Sequence, residues 1–318
     1  MKPRSVVNIL FLGGAKRVAM GRLFMAAAKK RGLECNIFSS EISRNVPISC
    51  IGTVVEGRRW NDPGIYGFLE CLCRRHDIDI VIPFVDGGVA VAARLHERMP
   101  SVFVPASSAE LCESMFDKVA AADIFEKLSI DAPRTYRGGR VETPLIAKPR
   151  HGSASQGLIK IDNIDDLPSA DTIGDYLIQQ RFDRREEISV DCYVSTAGKN
   201  PEPMAIVPRT RLEVAGGEVV RSITIDDAEV VAFVERALSA IGLRGAVTVQ
   251  LIRDADTGRL YIMEINPRLG GGAVCSVHSG ADIPGMILDE AMGVTCHRAP
   301  YRPGTEIARY LQEVVFFN

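Results

Sequence analysis

The most informative segment of the chain is Tyr261-Ile262-Met263-Glu264-Ile265-Asn266-Pro267-Arg268-Leu269-Gly270-Gly271-Gly272. It is a hydrophobic run that carries Glu264, Asn266 and Arg268 on alternate residues. Because side chains alternate across a β-strand, these three share one face of the predicted strand. Glutamate and asparagine offer the hard oxygen ligands that Mg²⁺ takes alongside phosphate oxygens, and arginine can bind phosphate or carboxylate with two hydrogen bonds. The segment therefore predicts a metal and phosphate site; the alternative is the exposed face of an antiparallel edge strand.

Length and composition indicate a folded protein of about two domains. The chain has 318 residues, 46% of them hydrophobic and 25% charged, and its net charge of -2 provides no basic surface for nucleic acid. No apolar stretch approaches the ~20 residues of a membrane helix, and the first apolar run ends in Gly-Gly rather than in a signal-peptide cleavage site. The eight cysteines match neither a zinc spacing nor a disulfide scaffold. We therefore expect a cytoplasmic protein without a nucleic-acid or membrane partner.

Strands and helices alternate in the first third of the chain, which predicts a parallel sheet with right-handed crossovers. The predicted strands are 6–12, 35–38, 78–83 and 102–104, and the predicted helices are 19–31, 67–76 and 89–98. The loop Gly13-Gly14-Ala15-Lys16-Arg17 follows the first strand, at the edge where open α/β sheets bind ligands. It lacks the full G-x-G-x-x-G spacing, so a nicotinamide-dependent oxidoreductase is kept only as a rival.

The pattern changes near residue 110, where we place a domain boundary. Residues 110–128 have the periodicity of one helix. The later strands are predicted at 145–149, 158–161, 176–182, 188–195, 204–209 and 219–224, and the later helices at 227–240 and 283–292. This second part is α+β in character and should pack against the first, because no long linker separates them.

A lysine and a loop of small residues form the second functional signal. Lys148 lies inside an apolar strand and is followed by Pro149-Arg150-His151-Gly152-Ser153-Ala154-Ser155-Gln156-Gly157. A buried lysine needs a partner, small residues let backbone N–H groups approach an anion, and the serine hydroxyls add donors. The loop is therefore predicted to close over phosphates as a movable hairpin; the alternative is an ordinary flexible hairpin.

A third signal is the apolar strand Leu177-Ile178-Gln179-Gln180-Arg181-Phe182, which leads to Glu187. A strand edge followed by an acid suits adenine bound to backbone groups and a ribose bound to the carboxylate. A plain core strand followed by a solvated charged turn is the alternative, and the more common one.

A fourth signal is Gln250, the one long polar residue in the predicted strand 247–251. Asp254-Ala255-Asp256-Thr257-Gly258 then turns the chain back into the strand that carries Glu264. In such a hairpin, Gln250 can lie across from Glu264 and Asn266, so that three oxygen donors converge.

With its motifs in this order, the chain resembles ATP-grasp proteins, and most of all the ATP-grasp unit of the carbamoyl-phosphate synthase large chain and its stand-alone relatives. The resemblance spans nearly the whole length. It implies an α/β part followed by an α+β part: a Rossmann-like pre-ATP-grasp domain at 1–110 and an ATP-grasp domain at 111–318. Within the latter, a small lid subdomain would cover about 114–180 and a larger subdomain about 181–318.

The resemblance also implies roles for individual residues. Contacts to the phosphates of ATP are implied for Lys118, Lys148, Ser153, Ser155 and Gly157. Contacts to adenine and ribose are implied for Gln179, Gln180, Phe182 and Glu187, with Glu186 as the rival of Glu187 because the hinge register is open by one residue. The implied ligands of Mg²⁺ (or Mn²⁺) are Gln250, Glu264 and Asn266. The implied catalytic residues are Arg268, facing the transferred phosphate or the acyl intermediate, and Lys148.

The activity implied by the resemblance is that of an ATP-dependent ligase, which phosphorylates a carboxylate to an acyl phosphate and couples it to an amine. Its partners would be these two small-molecule substrates, and a homodimer is considered as its assembly. The alternatives are a carbamoyl-phosphate-synthase-like subunit or fragment and a non-catalytic ATP-binding regulatory protein. The family's large chain joins two ATP-grasp units, and one is present here.

The substrate pocket is expected beyond Arg268. The three glycines Gly270 to Gly272 are expected to leave room there for an acceptor larger than bicarbonate, and the segment His278 to Asp282 could reach in. For His278 alone, a structural role is the more common one. Three arginines suit a carboxylate substrate, with a solvated strand face as the equal alternative: Arg209, Arg211 and Arg221.

Overall fold

The first sheet is four-stranded and parallel. The computed structural model describes residues 5–138, 142–152, 156–169, 171–199, 201–216 and 218–317. The elements of the first part are β1 (Val6–Leu12), α1 (Val18–Lys30), β2 (Glu34–Glu41), β3 (Thr53–Glu56), α2 (Ile65–Arg75), β4 (Ile80–Pro83) and α3 (Asp86–Arg98). The strand order is β3-β2-β1-β4, so the chain moves outward from β1 in one direction and then returns to its other side. The crevice between the carboxyl ends of β1 and β4 is therefore the topological switch point of this sheet.

Two helices connect the first sheet to the rest of the chain, where one had been predicted. They are α4 (Ala109–Phe116) and α5 (Lys118–Lys127), and Asp117 stands between them with φ -86° and ψ 102°. The Asp117 carboxylate accepts hydrogen bonds from the N–H groups of Val119 and Ala120, which caps α5. The prediction of a single helix over 110–128 was wrong because helical periodicity does not reveal an internal N-cap that redirects the axis.

A small antiparallel sheet follows, which we call the lid sheet. It consists of β5 (Leu145–Pro149), β6 (Ile159–Ile161) and β7 (Tyr176–Gln180), in the order β6-β5-β7. Its own small core contains Leu145, Ala147, Ile161 and Ile178. The strands thus bury alternate residues on one face, and on β5 the same alternation turns Lys148 to the opposite face.

The largest sheet has six strands in the order β12-β11-β8-β9-β10-β13. Its elements are β8 (Arg185–Val194), β9 (Pro203–Ala215), β10 (Glu218–Thr224), α6 (Ala228–Ile241), β11 (Gly245–Asp254), β12 (Leu260–Asn266), α7 (Ala273–His278), α8 (Ile283–Ala291) and β13 (Glu306–Ala308). Neighbouring strands are antiparallel. The hydrophobic face of α6 packs on one side of this sheet through Val230, Val234 and Leu238, so the polar residues of β8, β11 and β12 lie on the other side.

Helices α1 and α8 join the two parts of the molecule. Phe24 of α1 and Ile287 of α8 belong to one buried cluster that also includes Tyr193 of β8. The Arg31 guanidinium, at the end of α1, donates two hydrogen bonds of 2.6 Å to the Asp289 carboxylate. This packing fixes the carboxyl edge of the first sheet against the end of β12.

Most strands and helices lie where the sequence pattern predicted them. The predicted strand 102–104 is reduced to a single parallel bridge between Phe103 and Ile80. Three short elements were not predicted from the sequence: β3, α7 and β13. Their few residues show no clear periodicity and acquire regular structure from neighbouring elements. No helix in the described parts of the chain is both long and apolar enough to span a bilayer.

Candidate active site

Lys148 lies at the centre of the candidate site. Its residue is 9% exposed, and its ammonium group donates a 3.0 Å hydrogen bond to the side-chain oxygen of Gln179. Burial lowers the pKa of Lys148 to about 8, and the nearby Glu264 carboxylate opposes that shift. Lys148 of the lid sheet and Glu264 of the large sheet are thus within electrostatic range of each other, which is compatible with contacts from both to one ligand.

The start of the loop after Lys148 is tied to α5. The Lys118 ammonium donates a 2.7 Å hydrogen bond to the carbonyl of Gly152, and Arg150 forms an ion pair of 2.6 Å with Asp117. Gly157 has φ +72°, and a Cβ there would lie 2.9 Å from the ring of Pro149. Two residues predicted to contact phosphate lie outside the described ranges: Ser153 and Ser155.

The metal-ligand candidates meet on the polar face of the large sheet. Gln250 of β11 pairs directly with Glu264 of β12, as predicted. The residue across from Asn266 is Thr248 rather than Gln250, so Asn266 lies one pair further along the same face. The half-buried Gln250 amide and Glu264 carboxylate make no hydrogen bond to any residue that the structure describes. Adjacent strands therefore carry hard oxygen atoms that have no hydrogen-bond partner among the described residues.

Arg268 is held in place by an acid of the first sheet. Its guanidinium donates a 2.6 Å hydrogen bond to the Asp86 carboxylate and a 3.2 Å hydrogen bond to the side-chain oxygen of Asn266. Asp86 begins α3, directly after β4. Asp86 was not among the residues predicted from the sequence, where its only signal was its position after a buried strand.

Strand β7, where adenine was predicted to bind, buries the side chain of Gln179. The Gln179 amide donates 3.2 Å to the carbonyl of Pro133 and accepts from Lys148, so it positions the lysine. The Phe182 ring packs against Tyr261 with centroids 4.8 Å apart. Phe182 is 7% exposed, yet its backbone N–H makes no hydrogen bond within the described parts of the chain. A backbone N–H that lacks a partner among these residues can donate to a ligand.

The two rival ribose acids lie on opposite faces of β8. Glu187 shares the polar face with Ser189 and Asp191, and its carboxylate accepts hydrogen bonds from the guanidinium groups of Arg185 and Arg211. Glu186 points to the other face, where it lies 3.8 Å from Arg253. The placement therefore favours Glu187 as the acid that a nucleotide could reach.

Arg209 and Arg211 share one strand face, as expected, but the Arg209 side chain is buried. It forms a 2.7 Å ion pair with Asp191, and both side chains are at most 3% exposed. Asp191 also accepts hydrogen bonds from Ser276 and Thr248. Arg221 instead pairs with Glu306 on β13 at 2.6 Å, away from the site. Asp191 had been overlooked, although an acid inside the apolar run of β8 was a visible signal of a buried partner.

The expectation that Gly270 to Gly272 leave an open pocket was wrong. A Cβ on Gly270 would lie 2.8 Å from the Thr248 hydroxyl, one on Gly271 3.0 Å from the Arg17 guanidinium, and one on Gly272 2.4 Å from the Arg209 guanidinium. The glycines therefore admit three polar side chains close to the backbone. Small residues permit either outcome, and the sequence alone does not distinguish them.

Two polar residues of the segment 278–282 make contacts within the turn between α7 and α8. Asp282 caps α8 by accepting from the N–H of Gly285, and it lies 3.2 Å from Arg31. The Ser279 hydroxyl donates to the carbonyl of Ser276. These groups stabilise the turn between α7 and α8, and a contact from the segment 278–282 to the substrate stays a prediction.

Comparison with known proteins agrees with this architecture. A family model described as "ATP-grasp in the biosynthetic pathway with Ter operon" matches residues 174–313. A D-alanine–D-alanine ligase of Thermoanaerobacter sp. is 27% identical over 231 residues, which is 60% of this chain. The match covers 62% of that ligase, so the chain spans less than two thirds of the curated relative.

Solved structures show the same fold. A biotin carboxylase from Campylobacter jejuni has a TM-score of 0.70 at 16% identity and covers 91% of this chain and 71% of its own. An L-amino acid ligase from Bacillus licheniformis has a TM-score of 0.68 at 18% identity, and the match covers 90% of this chain and 74% of the ligase chain. An N5-carboxyaminoimidazole synthetase from Staphylococcus aureus, complexed with ADP, has a TM-score of 0.71 at 15% identity. The match covers 93% of this chain and 80% of the synthetase chain.

The chain is therefore similar to ATP-grasp proteins, as its motifs had indicated, and the family model matches it over residues 174–313. The matched residues run from β7 to β13 and so include all six strands of the large sheet.

The pKa of Lys148 leads to a first prediction. Below about pH 8 the lysine is protonated. Bound phosphates favour its charged form and should raise its pKa above this lowered value. As the pH rises above about 8, the free protein loses this proton, so ADP affinity should fall by up to about tenfold per pH unit until the pKa in the complex is reached. Titrations with ADP and a chelator between pH 7 and 9.5 measure this slope. Lys148→Arg keeps its charge and should remove the slope; an equal slope in the variant would contradict the assignment.

Proposed function

We propose that the protein is an ATP-dependent ligase that activates a carboxylate as an acyl phosphate and joins it to an amine. One observation carries this proposal: the buried Lys148 of the lid sheet lies within electrostatic range of Glu264 on the large sheet, and Glu264 pairs with Gln250 and precedes Asn266 and Arg268. Cations on one side and metal-binding oxygens on the other suit the transfer of a phosphoryl group between two anions. The relatives named as ligases support the same reaction class.

The nucleotide is proposed to lie between the lid sheet and the large sheet. Its phosphates would contact Lys118, Lys148 and the loop that contains Ser153, Ser155 and Gly157. Its adenine would bind at Gln179 to Phe182, where the Phe182 N–H supplies a donor, and its ribose at Glu187. A bound ribose must compete with or join the arginines that now hold Glu187.

The donor set fits a magnesium ion that arrives with its nucleotide. Gln250, Glu264 and Asn266 would hold Mg²⁺ (or Mn²⁺), and only one of the three is a carboxylate. Mg²⁺ is commonly bound by one or two carboxylates together with substrate phosphates, and a single carboxylate should hold the free ion weakly. When bound, the metal would offset the charge on the transferred phosphoryl group.

The proposed reaction has two steps. A carboxylate oxygen of the first substrate attacks the γ-phosphorus of ATP, the bond to the β-phosphate oxygen breaks, and ADP leaves. The amine nitrogen of the second substrate then attacks the carbonyl carbon, phosphate leaves with one former carboxylate oxygen, and the nitrogen loses a proton. Lys148 and Arg268 would stabilise the phosphoryl group, while lid closure would exclude water from the acyl phosphate.

The rival functions fit less well. In the loop after β1, the amides of Gly14 and Ala15 already donate to the Glu41 carboxylate, which leaves less for a dinucleotide phosphate. A pure ATP-binding regulator has less need of the full set Gln250, Glu264 and Asn266. A carbamoyl-phosphate-synthase-like subunit stays the second candidate, because its reaction would use the same nucleotide site.

Several finer points belong to this proposal. The first sheet would serve as the Rossmann-like pre-ATP-grasp domain at 1–110, ahead of an ATP-grasp domain at 111–318. A cytoplasmic location and a homodimer stay predictions. The substrates are proposed to be small molecules, with no nucleic-acid or membrane partner.

Replacing Lys148 with alanine should weaken nucleotide binding by roughly 1.5 to 3 kcal/mol, the loss of a charged hydrogen bond to phosphate. Isothermal titration with ADP measures the effect. Lys160→Ala, which removes an exposed lysine of the same lid sheet, is the matched control and should leave the affinity unchanged. An unchanged dissociation constant for Lys148→Ala would remove its proposed phosphate role.

Oxygen transfer tests the proposed reaction. A carboxylate substrate labelled with ¹⁸O should pass one labelled oxygen to the released phosphate at each turnover, detectable by mass spectrometry. Released phosphate without label would show that ATP is hydrolysed by water, which contradicts the acyl-phosphate step.

A further inference from the structure

Guanidinium groups from distant parts of the chain lie close to the glycine turn after β12. The Arg17 guanidinium lies where it would be 3.0 Å from a Cβ on Gly271. Arg309 donates a hydrogen bond to the carbonyl of the same glycine. Arg268 stands three residues earlier in the chain and is joined to Asp86. Two guanidinium groups therefore flank Gly271, next to the arginine proposed to face the transferred phosphoryl group.

Arg17 stands at the switch point of the first sheet. It follows β1, and its guanidinium lies 5.9 Å from the centre of the Phe84 ring, directly after β4. Asp86, which holds Arg268, is two residues beyond Phe84. Open α/β sheets bind ligands in the crevice where neighbouring strands lead in opposite directions. Here that crevice opens onto the proposed site of carboxylate activation.

The loop that carries Arg17 is held firmly. Gly13 has φ +71° and approaches Val85 so closely that a Cβ would be 2.7 Å from its methyl groups. The Glu41 carboxylate accepts from the N–H groups of Gly14 and Ala15 and from the Ser39 hydroxyl at 2.6 Å. A preorganised arginine loses less freedom when it binds an anion, so this rigidity favours recognition.

Arg309 is positioned by the edge of the large sheet. It directly follows β13, and its backbone N–H donates a 2.9 Å hydrogen bond to the carbonyl of Val220 on β10. Its side chain thereby crosses from the edge strand to Gly271. Arg17 and Arg309 thus come from opposite ends of the sequence and meet at a single residue.

We propose that the carboxylate substrate carries a second anionic group, a carboxylate or a phosphate, which Arg17 and Arg309 bind beside Gly271. This inference rests on the proposed ligase function. Arg268 would then lie beside the carboxylate to be activated, and the pair Arg17 and Arg309 would bind the distal group. Guanidinium groups suit both anions because they offer paired N–H donors.

Binding of defined anions tests the proposal. With saturating MgADP present, titration calorimetry compares succinate, glutarate and adipate with butyrate, pentanoate and hexanoate, and also with 3-phosphonopropionate. At least one dianion should bind roughly tenfold more tightly than its monocarboxylate counterpart, as expected for an added charged hydrogen bond. The phosphonate arm shows which kind of distal group is preferred.

The variants Arg17→Gln and Arg309→Gln should each abolish this preference, because the affinity for the dianion should fall far more than that for the monocarboxylate. Gly271→Ala should reduce it as well, because the new methyl group displaces the Arg17 guanidinium without removing charge. Arg221→Gln, which breaks an exposed ion pair on β10, is the control and should keep the preference.

The outcomes separate this inference from the function on which it rests. Failure to bind MgADP would contradict the proposed nucleotide site. Normal MgADP binding without any preference for dianions would overturn only the second anionic group. A preference that survives in both arginine variants, even if they melt at lower temperature, would show that the arginines merely stabilise the turn.

Discussion

Glu264→Gln is expected to lower MgATP turnover by at least about 10²-fold, equivalent to roughly 3 kcal/mol of transition-state stabilisation. The change removes one negative charge and preserves the shape of the side chain. Glu264 is the only carboxylate among the three proposed ligands, and its carboxylate makes no hydrogen bond to the residues that the structure describes. Its loss should therefore act on the metal and its phosphates rather than on the fold.

The measurement is ADP release by a coupled assay, with far-ultraviolet circular dichroism as the check on folding. Glu235→Gln is the control, because Glu235 is an exposed acid of α6 on the opposite side of the large sheet, 3.4 Å from Arg298. Equal turnover by Glu264→Gln and the parent protein would eliminate the proposed metal site.

Asp191→Asn is expected to destabilise the protein by about 3 to 5 kcal/mol, because it leaves the buried Arg209 charge without a counter-charge. Arg209 and Asp191 are 3% and 1% exposed in their side chains, so water cannot replace the lost partner. One guanidinium nitrogen of Arg209 has no hydrogen-bond partner within the described parts of the chain. Urea denaturation followed by intrinsic fluorescence measures the change in the free energy of unfolding.

An exposed ion pair provides the control for this experiment. Asp256→Asn removes the partner of Arg184 where the side chains are 59% and 74% exposed, and it should cost less than about 1 kcal/mol. The double variant Asp191→Leu with Arg209→Met should recover much of the stability, since it removes both charges. A loss below about 1 kcal/mol for Asp191→Asn would contradict the buried pair.

The sequence was sufficient for the parts of the site that depend on local geometry. The alternation of a strand placed Glu264 and Asn266 on one face, and the short turn before β12 placed Gln250 opposite Glu264. Arg268 lies two residues past the end of β12 and is joined to Asn266 by a hydrogen bond. The position of Lys148 inside an apolar strand also correctly predicted that it is buried. These inferences needed only the two-residue period of strands and the cost of burying a charge.

Contacts between distant segments could not be predicted in this way. Asp86 and Arg268 are 182 positions apart, and no local pattern joins them. Gly271 looked like open space, whereas the fold brings Arg17 and Arg309 to it from the two ends of the sequence. The break between α4 and α5 was missed for a related reason, because Asp117 fits the helical pattern on both sides while its side chain caps the second helix.

Substrate-dependent ADP release tests the central proposal most directly. MgATP is supplied with each member of a panel of carboxylates and amines, singly and in pairs, with dicarboxylates and phosphorylated carboxylates included. The proposed ligase should release ADP rapidly only when a suitable carboxylate and amine are both present. Tight MgATP binding with a rate of ADP release that never depends on the pair would contradict ligase activity and favour a nucleotide-binding regulator.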